Sequence, residues 1–213
     1  MKLTKADIKR IYNDPNYWNV SPYDGTGYSD VYAAIVDLVG QIIGLPIVSK
    51  WNDFFRCSYT NKQVLEVGCA RGWLLKDVRD RGGAIAGVDV SDCVVGLSPV
   101  KDSIYVGFIE DGTPFPSNQF DIAFAVENLE HLIDLDAGLK EIHRMMKPGG
   151  YFYFSAGLDA DEDRHINIIS RDEWRKRVED AGFEVDDAMT EKFMEHRLHK
   201  EYKWNSFITR AKK

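Results

Sequence analysis

Cysteine is scarce in this chain, with Cys57, Cys69 and Cys93 the three among 213 residues. The number is odd and the spacings lack the paired pattern of a structural zinc site, so a disulfide framework is not expected and a reducing compartment fits best. Long apolar runs are missing as well. The start, MKLTKADIKRIYND, has no apolar core for a secretory signal, and the charge-free run 38–49 is broken by Gly44 and Pro46 and too short to span a bilayer. The expectation is a soluble, cytoplasmic protein with no membrane partner. Positive charge is in deficit: 27 Lys and Arg stand against 34 Asp and Glu, a net charge of −7 and a pI near 5.3. A field of that sign repels phosphate backbones, so nucleic acid is not the default partner. The balance is uneven, since residues 190–213 are rich in Lys and Arg whereas 159–163 hold Asp159, Asp161, Glu162 and Asp163. Internal repeats and low-complexity segments are absent. A chain of this length, 44% hydrophobic, can bury one sizeable core and reads as a single domain.

The most informative stretch is 63–73, QVLEVGCARGW. Val64, Leu65 and Val67 form a short strand-type run. Gly68, Ala70 and Gly72 make a small-residue turn, and Trp73, Leu74, Leu75 and Val78 recur at helical spacing. Strand, tight turn and helix form a cradle in which a ligand lies against bare backbone near a helix N-terminus. Small residues at 68, 70 and 72 do not match the dinucleotide fingerprint, which disfavours NAD. Glu66, two residues before the first glycine, would repel a pyrophosphate and tolerate a cation. Asp89 closes the next apolar strand, 84–88, where a carboxylate can accept bonds from both ribose hydroxyls. Ribose plus positive charge points to S-adenosylmethionine (SAM), although such a turn can also serve packing alone.

Four blocks, EVGCARGW, GVDVS at 87–91, DGTPFPSNQFDIAFAVENLEHLID at 111–134 and LKEIHRMMKPGGYFYFS at 139–155, together resemble the class I SAM-dependent methyltransferases. A weaker continuation over 165–184 resembles the small-molecule, type 11-like branch. The resemblance implies a Rossmann-like α/β fold, a three-layer sandwich around a mostly parallel seven-stranded sheet, with residues 61–213 as the SAM-binding domain. It also implies that the segment before the first motif, 1–60, closes over cofactor and acceptor as a lid. That segment is helical at first and then aromatic, with Tyr17, Trp18, Tyr23 and Tyr28 as candidate lid residues. These rings equally suit plain packing onto the domain.

The pattern predicts helices over 5–12, with Thr4 as N-cap, over 29–43 and over 46–55. After 63 strands and helices alternate, as in a parallel sheet. Strands are expected at 104–108, 120–126, 151–155, 183–187 and 204–210. Helices are expected at 135–146 and 170–181, with a turn at 147–150 and little helix between Asp89 and Ile104.

Methyl transfer from a sulfonium is an in-line displacement, so holding donor and acceptor and removing a proton are the protein's tasks. By the rule for open parallel sheets, the cofactor contacts expected are Glu66, Gly68, Cys69, Ala70, Gly72, Trp73, Asp89, Val90, Glu110, Asp111, Val126 and Glu127. In the resembled family an acid after the third strand holds the adenine amino group. Ile109 aligns there, so Glu110 or Asp111 stands in. Glu127 and His131 are four apart and would share a face of one helical turn. His131 is a candidate base or a histidine that orders its turn, and His165 is a second candidate. The acids 159–163 beside His165 and Asn167 read as a solvated loop, and no metal is expected. His143, His196 and His199 read as surface residues and Trp174 as core. The function expected is transfer of a methyl group from SAM to an O or N atom of a small-molecule acceptor. A macromolecular acceptor and a SAM-binding module without catalysis are the alternatives.

Overall fold

The computed structural model describes residues 3–18, 29–51, 54–157, 164–196 and 205–213. Two compact units divide at Gly107: Met1–Gly107 and Phe108–Lys213.

The first unit opens with α1, Lys5–Tyr12, begun as expected by a capping box in which the Thr4 hydroxyl accepts the Asp7 N–H and Asp7 accepts the Thr4 N–H. The short α2, Pro15–Trp18, and α3, Ser29–Ile42, follow. The helix expected over 46–55 does not form; β1, Ile47–Trp51, and β2, Phe54–Cys57, make an antiparallel hairpin there. Ile47, Val48, Phe54 and Phe55 are β-branched and aromatic, types that favour a pleated surface, and their apolar pattern fits either period over so short a span. Then β3, Gln63–Val67, α4, Trp73–Asp80, β4, Ala84–Asp89, the short α5, Asp92–Gly96, and β5, Ile104–Val106, complete the unit. Both β3/β4 and β4/β5 pair in parallel, giving the order β5-β4-β3. The strand at 104 stops two residues earlier than expected.

The first unit also holds a buried ion network joining α3, β2 and α4. The Asp37 carboxylate on α3 accepts the Cys57 N–H at 3.0 Å and bonds Arg81, just after α4, whose side chain is 4% exposed. Arg81 also pairs with Asp77. Burial pushes the Cys57 thiol up to about 11, with the Asp37 charge adding to it.

The second unit contains β6, Phe120–Val126, as expected, then α6, Leu135–Met145, β7, Met146–Ala156, α7, Arg171–Asp180, β8, Phe183–Val185, α8, Asp187–Glu195, and β9, Asn205–Ala211. Its strands run in the order β6-β7-β9-β8, parallel for β6/β7 and antiparallel for the two pairs involving β9. Seven strands thus build a mostly parallel sheet, the α/β architecture expected. The pairing of β6 with β7 jumps from Phe120↔Met146 to Ile122↔Tyr151. The expected turn at 147–150, with Gly149 at φ 80°, therefore survives as a bulge within one strand. Alternation places Phe152 and Phe154 on one face, where Phe154 stacks on Phe207 at 5.0 Å and meets Trp174 of α7 at 5.7 Å. Trp174 is fully buried, as expected.

Two expectations fail here. Asp186 and Asp187 are not strand. Asp186 caps α8 by accepting the Met189 N–H at 3.0 Å, and Phe193 buries that helix against the unit. His143 is not a plain surface residue. Its ring lies edge-on to Phe183 at 5.1 Å and covers Gly182, where a Cβ would come within 2.8 Å of its Nε2. His196 is half-buried and ends α8; His199 lies outside the described residues.

Candidate functional site

The turn after β3 is built by backbone that ordinary residues avoid. Gly68 has φ 71°, Ala70 φ 45° and Gly72 φ 67°, so the chain folds back sharply before α4 begins. The Gly68 N–H continues the parallel ladder to the Val88 carbonyl at 2.8 Å, and the Gly72 N–H closes the turn on the Cys69 carbonyl at 2.6 Å. A side chain at Gly72 would strike Val100 at 2.6 Å, and one at Gly87 would strike Cys69 Sγ and Leu75 at 2.8 Å. Close packing, as well as torsion, therefore requires glycine at 72. Cys69 is buried and its thiol is pushed well up by that burial and by the charges of Asp89 and Glu66. It is a packing residue with no reactive thiolate. Trp73 starts α4 and is half-buried.

Asp89, at the end of β4, holds this turn in shape. Its Oδ2 accepts the Ala70 N–H at 2.8 Å and its Oδ1 accepts the Ser91 N–H at 2.9 Å. A carboxylate has about four lone-pair sites, so acceptor capacity remains on both oxygens. Burial raises the Asp89 pKa, while the N–H groups of Ser91, Ala70 and Val90 hold it down. Glu66 is 3% exposed. Burial lifts its pKa well above the usual 4.5, the Asp89 charge adds to this, and a bond from the Leu75 N–H opposes it. Its Oε2 is buried without a hydrogen-bond partner. Two buried acids that repel each other, one with an unsatisfied oxygen, suit a ligand that brings a cationic donor and hydroxyls. The residues present therefore fit SAM.

The start of the chain docks beside this turn. The Ser91 hydroxyl donates to the Tyr12 carbonyl at 2.6 Å, and Asn13 Oδ1 accepts the Cys93 N–H at 3.3 Å. Lys9 pairs with Asp92 at 3.0 Å, and the Tyr17 ring meets Tyr12 edge-on at 5.3 Å. Trp18 ends α2, whereas Tyr23 and Tyr28 lie outside the described residues. Ser91 and Asn13 were not singled out from the sequence; a serine two residues after a strand-ending acid, in N-cap position, was the available signal.

In the second unit the adenine-position residue Ile109 is buried against Gly138 of α6. Glu110 is half-buried and accepts the Ile133 N–H at 3.3 Å, while Asp111 is exposed. Val126, last in β6, is buried. The segment after it is not the helical turn expected. Glu127 sits at φ 49°, Asn128 at φ −135°, and only Leu129–His131 forms a 3-10 turn.

This irregular path still gathers four titratable side chains. Glu130 is fully buried; its Oε1 accepts the Gly157 N–H at 2.8 Å and its Oε2 has no hydrogen-bond partner. Glu127 Oε1 is likewise buried and unpartnered, and burial with the neighbouring Glu130 charge pushes the Glu127 pKa up to about 8. His131 Nδ1 lies 3.0 Å from the Arg164 carbonyl, which only accepts, so Nδ1 carries a proton and donates there. The His165 ring lies 4.8 Å from that of His131. Asn167 fixes the returning loop by donating to the carbonyls of Leu129 at 3.2 Å and Leu132 at 2.7 Å. The acids of 159–163 lie outside the described residues. Glu130 went unnoticed in the sequence because nothing local marks a glutamate as buried; the spacing Glu127, Glu130, His131 was the usable signal.

A family model described as a methyltransferase domain matches residues 49–188, more than half of the chain. The chain belongs to the SAM-dependent methyltransferase family. Curated relatives include the ubiquinone biosynthesis O-methyltransferases of Pseudomonas syringae pv. tomato and Pseudomonas putida GB-1, each 32% identical over 117 residues. That alignment covers 52% of this chain and 50% of each relative, so the chain spans about half the length of the curated relatives it matches. Among solved structures, a SAM-dependent methyltransferase from Aquifex aeolicus superposes with TM-score 0.58 at 20% identity, covering 99% of this methyltransferase chain and 98% of its own. The [4+2]-cyclase SpnF superposes at TM-score 0.55 and 19% identity, over 87% of this chain and 95% of its own. Likeness at that level concerns fold alone. Among the described residues no helix is long and apolar enough to cross a membrane.

Proposed function

We propose that this protein transfers the methyl group of SAM to a hydroxyl oxygen of a small-molecule acceptor. The observation that carries the reading is the turn from Gly68 to Gly72 between two buried acids, Glu66 with an unsatisfied oxygen and Asp89 with acceptor capacity to spare. Oxygen is favoured over nitrogen because the curated relatives are named O-methyltransferases. A small acceptor is favoured by the same names and by the net negative charge.

Bound SAM supplies a methyl group on a positively charged sulfur. In this reading Glu66 accepts from its cationic end through Oε2 and Asp89 accepts from the ribose hydroxyls. The small residues at 68, 70 and 72 leave room for direct contact with backbone, and Cys69, Trp73 and Val90 line the same turn. Glu110, Asp111, Val126 and Glu127 remain proposed cofactor contacts, with Glu110 preferred to exposed Asp111 for the adenine. Residues 1–60, anchored through Tyr12 and Asn13 to the loop after Asp89, act as the lid. The acceptor must give up a proton as its oxygen attacks, and the cluster of Glu127, Glu130, His131 and His165 is assigned that part of the chemistry.

The test is a methyl-transfer assay with radiolabelled SAM against phenols, catechols, amines and carboxylic acids. Labelled ethers formed from hydroxylated acceptors support the proposal; label found only on amines, or no transfer to any class by protein that binds SAM, overturns it.

A further inference from the structure

We propose that Arg171 binds a carboxylate of the acceptor and that Ile168 contacts the hydrocarbon beside it, so that the acceptor is a hydroxylated carboxylic acid. The Arg171 guanidinium is half-buried and lies 4.0 Å over the Phe207 ring. Its Nη1 and Nη2 donate to the Ser206 carbonyl at 3.3 and 3.2 Å, which uses two of its five N–H groups and leaves three. Arg144, Arg175, Arg177 and Arg210 of the same unit each pair with a carboxylate. Among the described residues no carboxylate lies within 4 Å of Arg171.

Packing alone does not favour a cation at this place. Burial and the Arg175 charge both act against the guanidinium, and Asp187 and Asp172 offset them only in part. Arg171 is also the first residue of α7, where the helix dipole disfavours positive charge. An anion on the remaining N–H groups corrects that imbalance, and the planar fork matches the two oxygens of a carboxylate.

Its distance from the cluster after β6 sets the shape of the ligand. The Glu127 N–H donates to the Ser155 carbonyl at 3.1 Å, Ser155 pairs with Ser206 across β7 and β9, and Ser206 holds Arg171. These three strands are neighbours at a spacing of about 4.8 Å, so the guanidinium stands on the order of 10 Å from the end of β6. Residues 165–171 span the same gap. They are pinned at one end, where the Ile166 and Asn167 N–H groups donate to the Glu130 carbonyl at 2.7 and 2.9 Å, and at the other by Arg171. Between the pins Ile168 is 47% exposed. One exposed isoleucine is ordinary in itself, but this one is held between the cluster assigned to proton removal and an unneutralised guanidinium. Hydroxyl, hydrocarbon and carboxylate of one molecule meet the three in that order. A hydroxycinnamate has that reach, whereas a hydroxybenzoate is shorter. The hydroxyl end of this assignment rests on the methyl-transfer reading; the carboxylate site does not.

The full chain is titrated by calorimetry with trans-4-hydroxycinnamate and, separately, with its methyl ester, and SAM binding is measured on the same protein. The expected result is one acid bound per chain, at least about tenfold tighter than the ester, the worth of hydrogen bonds between charged groups. Arg171→Gln should bring the acid to the level of the ester and leave SAM affinity unchanged. Arg171→Lys, which keeps the charge without the fork, should retain part of the preference, and Ile168→Ala should weaken acid and ester by the same factor. Folded wild-type protein that binds neither compound, or binds both equally, overturns the site. So does a preference that survives whole in Arg171→Gln or, if that variant fails to fold by circular dichroism, in Arg171→Lys. SAM binding that persists in those cases leaves the cofactor reading intact. An Arg171-dependent preference in protein that methylates no hydroxyl supports the carboxylate site and overturns the methyl-transfer reading instead.

Discussion

Glu66 is a carboxylate opposed twice, by loss of water and by the nearby Asp89 charge. Its folded pKa is raised, so the proton bound at low pH is held longer in the folded than in the unfolded chain. The stability this side chain allows is fully present below about 4.5 and is lost as pH rises from there towards the folded value. Glu66→Gln should therefore melt higher than the wild type at pH 7, with the difference shrinking to nothing near pH 4, in calorimetric scans across that range. The same variant should bind SAM about 1.5 to 3 kcal/mol more weakly, the worth of a hydrogen bond to a charged group. A variant that is both less stable and equally avid would refute the assignment of Oε2. Ala70 holds a left-handed torsion at φ 45°, which strains a residue with a Cβ by ~1 to 2 kcal/mol, partly offset by glycine's greater freedom when unfolded. Ala70→Gly should stabilise the chain by about 0.5 kcal/mol in urea unfolding. These positions were legible because turn chemistry is local. Glu130 was not, because its burial is made by Gly157 and the loop carrying Ile166 and Asn167, all remote in sequence.

Among elements, those read correctly carry their own punctuation. Thr4 caps α1, Ser170 caps α7 and accepts the Glu173 N–H at 3.2 Å, and β6 has the boundaries its apolar run implies. The hairpin of β1 and β2 was missed because a run of about ten residues with no cap matches either period, and α8 because Asp186 and Asp187 were read as the end of a strand when Asp186 is a cap and Asp187 begins the helix. Cross-element ties were invisible in the sequence. Asp37 on α3, the Cys57 N–H on β2 and Arg81 after α4 meet only in the folded unit. Removing one partner of a buried pair strands the other charge, so Asp37→Ala should destabilise by about 3 to 5 kcal/mol in urea unfolding. A loss under 1 kcal/mol would show that water reaches Arg81.

For the whole molecule, alternating strands and helices announced the parallel part of the sheet, and four sequence blocks in order announced the family. The antiparallel pairing of β9 with β7 and β8 carried no hairpin signal in sequence, because α8 separates β8 from β9 and α7 and α8 separate β7 from β9. The turn from Gly68 to Gly72 was readable because it is contiguous, whereas the Glu127, Glu130, His131 and His165 cluster joins two segments more than thirty residues apart. The central claim is that the turn of Gly68 to Gly72, with Glu66 and Asp89, holds an adenosyl cofactor. Calorimetric titration of the purified chain with SAM, S-adenosylhomocysteine and NAD tests it most directly. The account predicts that SAM and S-adenosylhomocysteine each bind at one site per chain, and that NAD does not bind. Tight NAD binding by protein that ignores both adenosyl ligands would contradict it.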